Sequence, residues 1–297
     1  MRVLQTTGLR GLDRSSLPFR LFEKAKRFGI WNPAEIDFAR DRADWAALAD
    51  EERDLLLRLT SMFQAGEESV TLDLLPLIQV IAGEGRIEEE MFLTSFLWEE
   101  AKHVDLFRRF LDEVAGERRD LAVYHSPSYR AIVYEALPEA MGRLRHDGSA
   151  VALARAAVTY NMIVEGVLAE TGYQGYLSIL ESRSILPGIC AGVRLLRQDE
   201  SRHIAYGVHL LSRLVADGGP EVWRAIQEQM ESLLPPALGV VHEMFSPYDP
   251  IPFAVDPEQF LGFAMTQFQY RFSRIERAAH GDLAPGDLDA EEGPSPT

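Results

Sequence analysis

Two Glu-x-x-His sequences, Glu100 to His103 and Glu200 to His203, are the residues of this chain best suited to chemistry. On an α-helix, residues three apart lie on one face about one turn from each other, so each glutamate and histidine could bind a metal ion together. Glu67 and Glu165 can add one carboxylate to each pair. These six side chains predict a site for two metal ions that share carboxylates.

The order of these residues along the chain repeats, with a glutamate first and a Glu-x-x-His sequence second. Glu67 and Glu100 are 33 residues apart, and Glu165 and Glu200 are 35 residues apart. The similar gaps predict two antiparallel helix pairs that face each other. Ferritin-like dimetal proteins place such ligands on the four helices of a bundle. The chain is therefore predicted to be all-α, with a ferritin-like four-helix bundle core and additional helices.

The helices that must position the ligands can be read from apolar periodicity. In the first, which begins near Asp50, Glu67 lies on the apolar stripe and Glu68 is rotated off it by about 100°. Glu67 is therefore the predicted ligand. The other ligand helices are predicted at about 86–115, 149–180 and 188–216. A further helix follows Pro220 and is expected to end near Pro235 and Pro236.

The charge that these residues would bury favours a metal site over the simpler interpretation that they are solvated side chains. One Glu-x-x-His sequence is more often a solvated pair than a pair of ligands. Four carboxylates on inward-facing stripes are different, because burying an unpaired charge is very costly. Carboxylate and imidazole donors suit iron or manganese, and the set contains no thiolate for an iron–sulfur cluster. Histidines without this pattern are read as ordinary surface or core residues: His125, His146, His209, His242 and His280.

The composition predicts one large domain with flanking segments. The chain has 297 residues, 46% of them hydrophobic, which suffices for a sizeable core. We predict an N-terminal segment at 1–48 with short helical pieces that packs on the core. The dimetal helical domain is predicted at 49–280, and a disordered acidic tail at 281–297.

Charge and cysteine content predict a cytoplasmic protein. A formal net charge of −16 argues against nucleic-acid binding, which needs a basic surface. Cys190 is the single cysteine, so no intramolecular disulfide can form, and a buried structural thiol is expected. Met1 to Arg20 lacks an apolar signal core, and no run of 18 apolar residues predicts a membrane span.

The motifs around these ligands carry a family resemblance. The chain resembles the small subunit of class I ribonucleotide reductase, and more closely the small-subunit-like ligand-binding oxidases, from about Trp31 to Tyr206. The motifs that carry it are Trp31-Asn32-Pro33-Ala34-Glu35-Ile36-Asp37-Phe38, Ala65-Gly66-Glu67-Glu68-Ser69-Val70-Thr71, Glu99-Glu100-Ala101-Lys102-His103, Tyr134-Glu135-Ala136-Leu137-Pro138-Glu139 and Thr159-Tyr160-Asn161-Met162-Ile163-Val164-Glu165-Gly166.

The resemblance implies a heterodinuclear cofactor of manganese and iron, with two iron ions as the alternative. It assigns manganese to Glu67 and His103, and the bridging role to Glu100. Three residues would complete the iron side: Glu165, Glu200 and His203.

The resemblance also implies an ether cross-link between a valine Cβ and a tyrosine oxygen, at Val70 and Tyr160. Val70 is one helical turn after Glu67. Tyr160 precedes Glu165 by five residues, which a regular helix does not place on one face, so a π-bulge is predicted between them. The plainer reading is that Val70 packs in the core and Tyr160 makes a buried hydrogen bond. Tyr173 corresponds to a tyrosine near the metals in that family.

In that family the site also binds a long-chain fatty acid, with the carboxylate on the metals and the tail in an apolar tunnel. The implied partners of this chain are a long-chain fatty acid or similar lipid, dioxygen and a second copy of itself. The implied function is that of a dioxygen-activating oxidase with a role in lipid metabolism.

Two other function classes compete with the oxidase. A radical-generating ribonucleotide reductase subunit is disfavoured by Phe107, which stands four residues after His103, where many such subunits have a tyrosine. It is also disfavoured because no tyrosine or tryptophan follows Tyr270. Metal storage or peroxide defence is disfavoured by the chain length and by the lack of paired cysteines.

Overall fold

The computed structural model describes residues 4–280, and the regular elements of that range are all helical, which confirms the all-α prediction. The α-helices are α1 Leu17–Phe28, α2 Ala39–Ala47, α3 Asp50–Gly83, α4 Ile87–Phe110, α5 Pro127–Arg130, α6 Leu137–Arg143, α7 Ala150–Ala157, α8 Glu170–Ser182, α9 Pro187–Phe245 and α10 Pro257–Ala279. Three stretches are π-helical, namely Leu111–Ala115, Ala131–Ala136 and Val158–Ala169. Short 3₁₀ turns occur at Pro33–Glu35, Leu121–Tyr124 and Pro252–Ala254.

Four long helical elements form the core of the molecule. The third of them is the α7–α8 rod, in which α7, the π-helical stretch and α8 follow one another from Ala150 to Ser182. α3 packs along α4, and the π-helical stretch packs along α9. The two pairs bury their apolar side chains against each other in one continuous core. The predicted ferritin-like four-helix bundle with additional helices is confirmed.

The α7–α8 rod is long and apolar enough to pass a composition test for a membrane span. Its most apolar window has a mean hydropathy of 1.3, yet 83% of that window is buried inside the protein. A helix that is hydrophobic on all sides is expected at the centre of a large helical core. The packing of the rod against α9 and α10 accounts for its composition.

Helix α9 differs from the prediction at one of its two ends. It begins where the Asp41 carboxylate accepts hydrogen bonds from the backbone N–H groups of Gly188 and Ile189, both at 2.8 Å. The expected division near residue 219 is present, because Gly219 leaves helical geometry at φ 62° and ψ −147°. The predicted end at Pro235 and Pro236 is wrong, since the helix continues to Phe245. Buried side chains on both sides of the prolines, Leu233, Ala237 and Val240, keep that segment packed in the core.

The residues before α3 pack on the bundle. α1 lies against α4 and α9, and α2 contacts α9. The Trp31 indole N–H donates to Asp199 Oδ2 at 2.8 Å, and Arg10 pairs with Glu88 at 2.7 Å. The predicted tail at 281–297 lies outside the described residues.

Candidate metal centre

The six predicted ligand residues converge at the middle of the bundle. Their donor atoms form two groups in which all atoms lie within 4.8 Å of one another. Glu100 and Glu200 belong to both groups. The remaining members are Glu67 and His103 in one group and Glu165 and His203 in the other. The described chain therefore offers two adjacent metal positions that share two carboxylates.

The first position lies between α3, α4 and α9. His103 directs its Nδ1 atom there, 3.3 Å from Oε2 of Glu67 and 3.4 Å from Oε1 of Glu200. Oε2 of Glu100 is 3.6 Å from the same nitrogen. All four side chains are buried, with Glu67 the most exposed at 5%.

The second position lies between α4, the α7–α8 rod and α9. His203 Nδ1 is 3.1 Å from Oε1 of Glu100 and 3.7 Å from Oε1 of Glu165. Oε2 of Glu200 is 3.5 Å from this nitrogen, while its Oε1 faces His103. Glu200 therefore extends to both positions and is not confined to the predicted iron side.

Each histidine is oriented by a carboxylate on the side away from the centre. Asp199 Oδ2 lies 3.3 Å from Nε2 of His103, and Glu99 Oε2 lies 2.9 Å from Nε2 of His203. With Nε2–H donating to a carboxylate, the Nδ1 lone pair of each ring points to the metal position. The pairing crosses the bundle, because the acid on α9 orients the histidine on α4 and the acid on α4 orients the histidine on α9.

Sequence reasoning missed these orienting acids, although a signal for them exists. An acidic residue, Glu99 or Asp199, precedes each ligand glutamate, and a basic residue, Lys102 or Arg202, precedes each ligand histidine. In the structure, Lys102 pairs with Asp199 at 2.9 Å and Arg202 pairs with both acids at 2.5 Å. The repeat is thus five residues long.

The atoms at the centre fit two divalent cations. The Nδ1 atoms of both histidines have no hydrogen-bond partner although they are buried, and neither do carboxylate oxygens of three of the glutamates: Glu100, Glu165 and Glu200. Around them, six buried carboxylates face two cationic side chains, Lys102 and Arg202. With neutral imidazoles this leaves four negative charges, which two divalent cations would neutralise. Burying this many carboxylates is unfavourable without cations to neutralise them.

Burial governs the protonation of these carboxylates when no cation is present. It raises the pKa of Glu67 to about 8 even though His103 opposes the shift. Burial and the nearby Glu200 raise the pKa of Glu165 well above its ordinary value. Burial acts in the same direction on Glu100, but the two imidazoles beside it hold its pKa well below the usual range. Metal binding at this site must therefore displace protons.

The two tyrosines named from the sequence both reach the centre. The predicted π-helical geometry is confirmed at Val158–Ala169, which contains Tyr160 and Glu165. Tyr160 donates its hydroxyl hydrogen to Oε1 of Glu100 at 3.3 Å. Tyr173 donates to Oε1 of Glu67 at 2.8 Å. Both tyrosines are almost completely buried.

A cavity leads away from the centre along α3. Glu67, Glu100, Glu165 and Glu200 line it at the metal end, together with the buried side chain of Val70. The rest of its wall is almost entirely apolar, formed by Leu55, Leu56, Leu59, Met62, Phe63, Gly66, Tyr129, Val133, Val164, Leu168, Ala169, Thr171, Gly172, Tyr173, Ile179, Val240, Val241, Met244, Phe245 and Phe260.

Comparison with known families identifies the fold around this centre. Residues 22–246 match the family model described as ribonucleotide reductase, small chain. That range contains the six converging residues and both tyrosines. It also contains the acids that orient the histidines.

Solved structures of an R2-like ligand-binding oxidase are similar over most of the chain. One, with an anaerobically reconstituted Mn/Fe cofactor and a valine replaced by leucine, is 39% identical and has a TM-score of 0.87, covering 93% of this chain and 100% of the other. A second, with aerobically reconstituted Mn/Fe and a tyrosine replaced by phenylalanine, has the same identity and TM-score and covers 93% and 99%. A third, with anaerobically reconstituted Mn/Fe and a glycine replaced by leucine, is 40% identical with a TM-score of 0.88 and covers 93% and 99%.

These relatives carry a Mn/Fe cofactor, and this chain has a buried carboxylate and imidazole site for two metal ions. The chain belongs to the ribonucleotide reductase small chain family, among its R2-like ligand-binding oxidases, and is an oxidoreductase.

Proposed function

We propose that the protein is a dioxygen-activating Mn/Fe oxidase that binds a long-chain fatty acid or a similar lipid ligand. The observation that carries this proposal is the cavity, whose one end is lined by four carboxylates and whose remaining wall is almost entirely apolar. A ligand with one anionic end and one apolar tail matches that division once cations occupy the carboxylate end. When bound, the two metal ions would supply the electrons and the Lewis acidity needed to activate dioxygen.

The length of the cavity supports a long acyl chain. Along α3 it extends from Glu67 to Leu55, which are twelve residues and so about 18 Å apart. The hydrocarbon core of a bilayer is about 30 Å thick, so one acyl chain spans about 15 Å. An extended chain of the length common in membrane lipids would therefore reach most of the way along the cavity.

We assign the metals as the resemblance implies. Glu67 and His103 would hold manganese, and Glu165 and His203 would hold iron, with two iron ions as the alternative. Glu100 would bridge the two, and Glu200, which the resemblance assigns to the iron side, has one oxygen near each histidine. Carboxylate and imidazole donors discriminate weakly between these metals, so supply and geometry would decide the occupancy.

We propose that Val70 and Tyr160 become joined by an ether bond between the valine Cβ and the tyrosine oxygen. Forming this bond removes one hydrogen from Cβ and one from the hydroxyl, as two protons and two electrons, and dioxygen is the final electron acceptor. Glu100 Oε1, which accepts the Tyr160 hydrogen bond, is placed to receive the phenolic proton. The valine and tyrosine replaced in the solved relatives have the same spacing as this pair. Tyr173 would orient Glu67 through its hydrogen bond.

One observation favours the alternative, a radical-generating subunit of ribonucleotide reductase. Trp31, Asp199 and His103 form a chain of polar contacts from an aromatic side chain in the N-terminal segment to a metal ligand. Phe107 argues against the reductase alternative. Its ring stacks on Phe63 with centroids 5.0 Å apart, and it offers no phenol beside the centre. The reductase alternative predicts that the protein activates a catalytic subunit from the same cell.

We also propose that the protein is a cytoplasmic homodimer. Leu72 and Leu75 on α3 are 60% and 45% exposed and would be covered by a second copy. The buried thiol of Cys190, the only cysteine of the chain, supports a reducing compartment.

Extraction of the purified protein tests the ligand proposal. Organic extracts of the wild-type protein should contain long-chain fatty acid at close to one molecule per metal centre, as measured by mass spectrometry. A Leu59→Arg variant, which places a charge in the apolar wall, should lose it, whereas Val123→Arg, at a residue that is 79% exposed and does not line the cavity, should retain it. Wild-type extracts without acyl chains from several expression conditions, combined with no binding of added fatty acid, would exclude the proposal.

A further inference from the structure

We propose that Phe260 sets the length of the acyl chain that the cavity accepts. The inference rests on the proposed fatty-acid function and concerns the end of the cavity opposite the carboxylates. It assigns a specificity-determining role to a residue of α10, a helix that contributes none of the six metal-ligand residues.

Phe260 lines the part of the cavity that is away from the carboxylates. Phe260 lines the cavity together with Leu55 and Phe245, and Leu55 is the cavity residue of α3 farthest along that helix from Glu67. Leu55 and Phe245 belong to a small apolar cluster beside the main core, and Phe260 packs against both this cluster and the main core. Phe260 therefore belongs to the distal wall and not to the metal end.

The Phe260 ring packs against α8 and α9. The ring lies edge-on to Phe245, with centroids 5.2 Å apart and planes at 64°. The ring also lies against the backbone of Gly175, where an added Cβ would lie 2.1 Å from Cε1 of the ring. The absence of a side chain at Gly175 thus creates the recess that holds the ring. These contacts with α8 and α9 restrict the position of the ring.

The side chain of Phe260 is only partly buried and it lines the cavity. A ring held there by Phe245 and Gly175 would form a stop for the terminal methyl group of a ligand whose carboxylate is anchored at the metals. A longer chain would have to displace the ring or bend inside a closely packed wall, and both are unfavourable.

Removing the ring gives a definite expectation. In Phe260→Ala, a fatty acid longer than the wild-type optimum can extend into the space left by the ring. Each additional methylene group that becomes buried there should tighten binding roughly fourfold, because the ring no longer opposes its transfer from water. In wild type, the same methylene should tighten binding little or weaken it. Phe260→Leu, which keeps a smaller apolar side chain, should lie between the two.

The experiment measures the affinity of the metal-loaded protein for saturated fatty acids of increasing length, by competition against a fluorescent fatty acid. Wild type is compared with Phe260→Ala, Phe260→Leu and the control Phe268→Ala. Phe268 is on the same helix and is also partly buried, but it stacks on Phe272 and does not line the cavity. Circular dichroism and thermal unfolding confirm that each variant is folded.

A shift of the preferred length to longer chains in Phe260→Ala, a smaller shift in Phe260→Leu and none in Phe268→Ala would support the inference. The same order of affinities in all four proteins would overturn it and leave the fatty-acid function in place, and so would an equal shift in the control. Failure of every protein, wild type included, to bind any fatty acid would overturn the proposed function and the inference with it.

Discussion

At the scale of single residues, the centre depends on side chains that touch no metal position. Asp199 and Glu99 each orient a histidine from the opposite helix, and Lys102 and Arg202 compensate their charge. Burial opposes the ionisation of Asp199, yet His103 and the two cations hold its pKa well below the ordinary value. A charged acceptor behind the imidazole makes the ring a stronger ligand.

Asp199→Asn should therefore weaken metal binding while keeping the shape of the site. The neutral amide loses the charge that supports His103, and changes of this kind typically cost roughly 10–100-fold in metal affinity. Titration of the apo-protein with Mn(II), followed by calorimetry, measures the effect. Asp105→Asn, an exposed residue of α4 that pairs with Arg109, serves as the control and should bind Mn(II) as wild type does. Equal affinities for the two variants would refute the role given to Asp199.

At the scale of elements, the π-helical stretch Val158–Ala169 brings Tyr160 and Glu165 to one centre. Its geometry is supported from α9, where Gly207 lets Asn161 approach closely. A Cβ at Gly207 would lie 2.3 Å from Cβ of Asn161, whose side-chain amide donates to Glu165 at 2.9 Å. The glycine thus allows the wider helix to fit between its neighbours.

Gly207→Ala should destabilise the protein although alanine is the better helix former. Overpacking of a core typically costs about 1–3 kcal/mol in the free energy of unfolding, which exceeds the gain in propensity. Denaturant unfolding of the apo-protein measures the change. Gly142→Ala in α6 is the matched control, because an added Cβ there meets nothing within 4 Å, and its stability should be equal or higher. A Gly207→Ala variant as stable as wild type would contradict this account of the π-helical stretch.

The elements also show which features the sequence predicts and which it does not. The ligand stripes and the helix pairs are local, because each follows from the spacing of a few residues. The π-bulge needed the family resemblance as well, which placed Tyr160 at the centre together with Glu165. The continuation of α9 through Pro235 and Pro236 is not local. It depends on buried neighbours that outweigh the loss of two backbone donors. The contribution of Phe260 to the distal cavity wall is not local either. It depends on where α10 packs beside α3 and α8.

At the scale of the whole molecule, a cluster of buried carboxylates and imidazoles lies at one centre, and an apolar cavity leads away from it. On the outer surface, α3 carries two exposed leucines. Scattered apolar residues are normal on a surface, but Leu72 and Leu75 lie on the same helix less than one turn apart. The predicted homodimer would bury this face.

The double variant Leu72→Glu with Leu75→Glu should shift the protein from dimer to monomer, because carboxylates at a two-fold interface would repel each other. Light scattering after size exclusion should give twice the 33.4 kDa chain mass for wild type and a single chain mass for the variant. Val123→Glu, at a residue that is 79% exposed elsewhere, should stay dimeric. A wild-type protein that is monomeric at micromolar concentration would refute the homodimer.

The most direct test of the oxidase account is peptide mass spectrometry after apo-protein is loaded with Mn(II) and Fe(II) and exposed to oxygen. We expect a species that joins the Val70 and Tyr160 peptides and is lighter than their sum by two hydrogens. It should be absent without oxygen and absent in Tyr160→Phe. Separate Val70 and Tyr160 peptides in protein that has bound both metals and consumed oxygen would contradict the cross-linking oxidase.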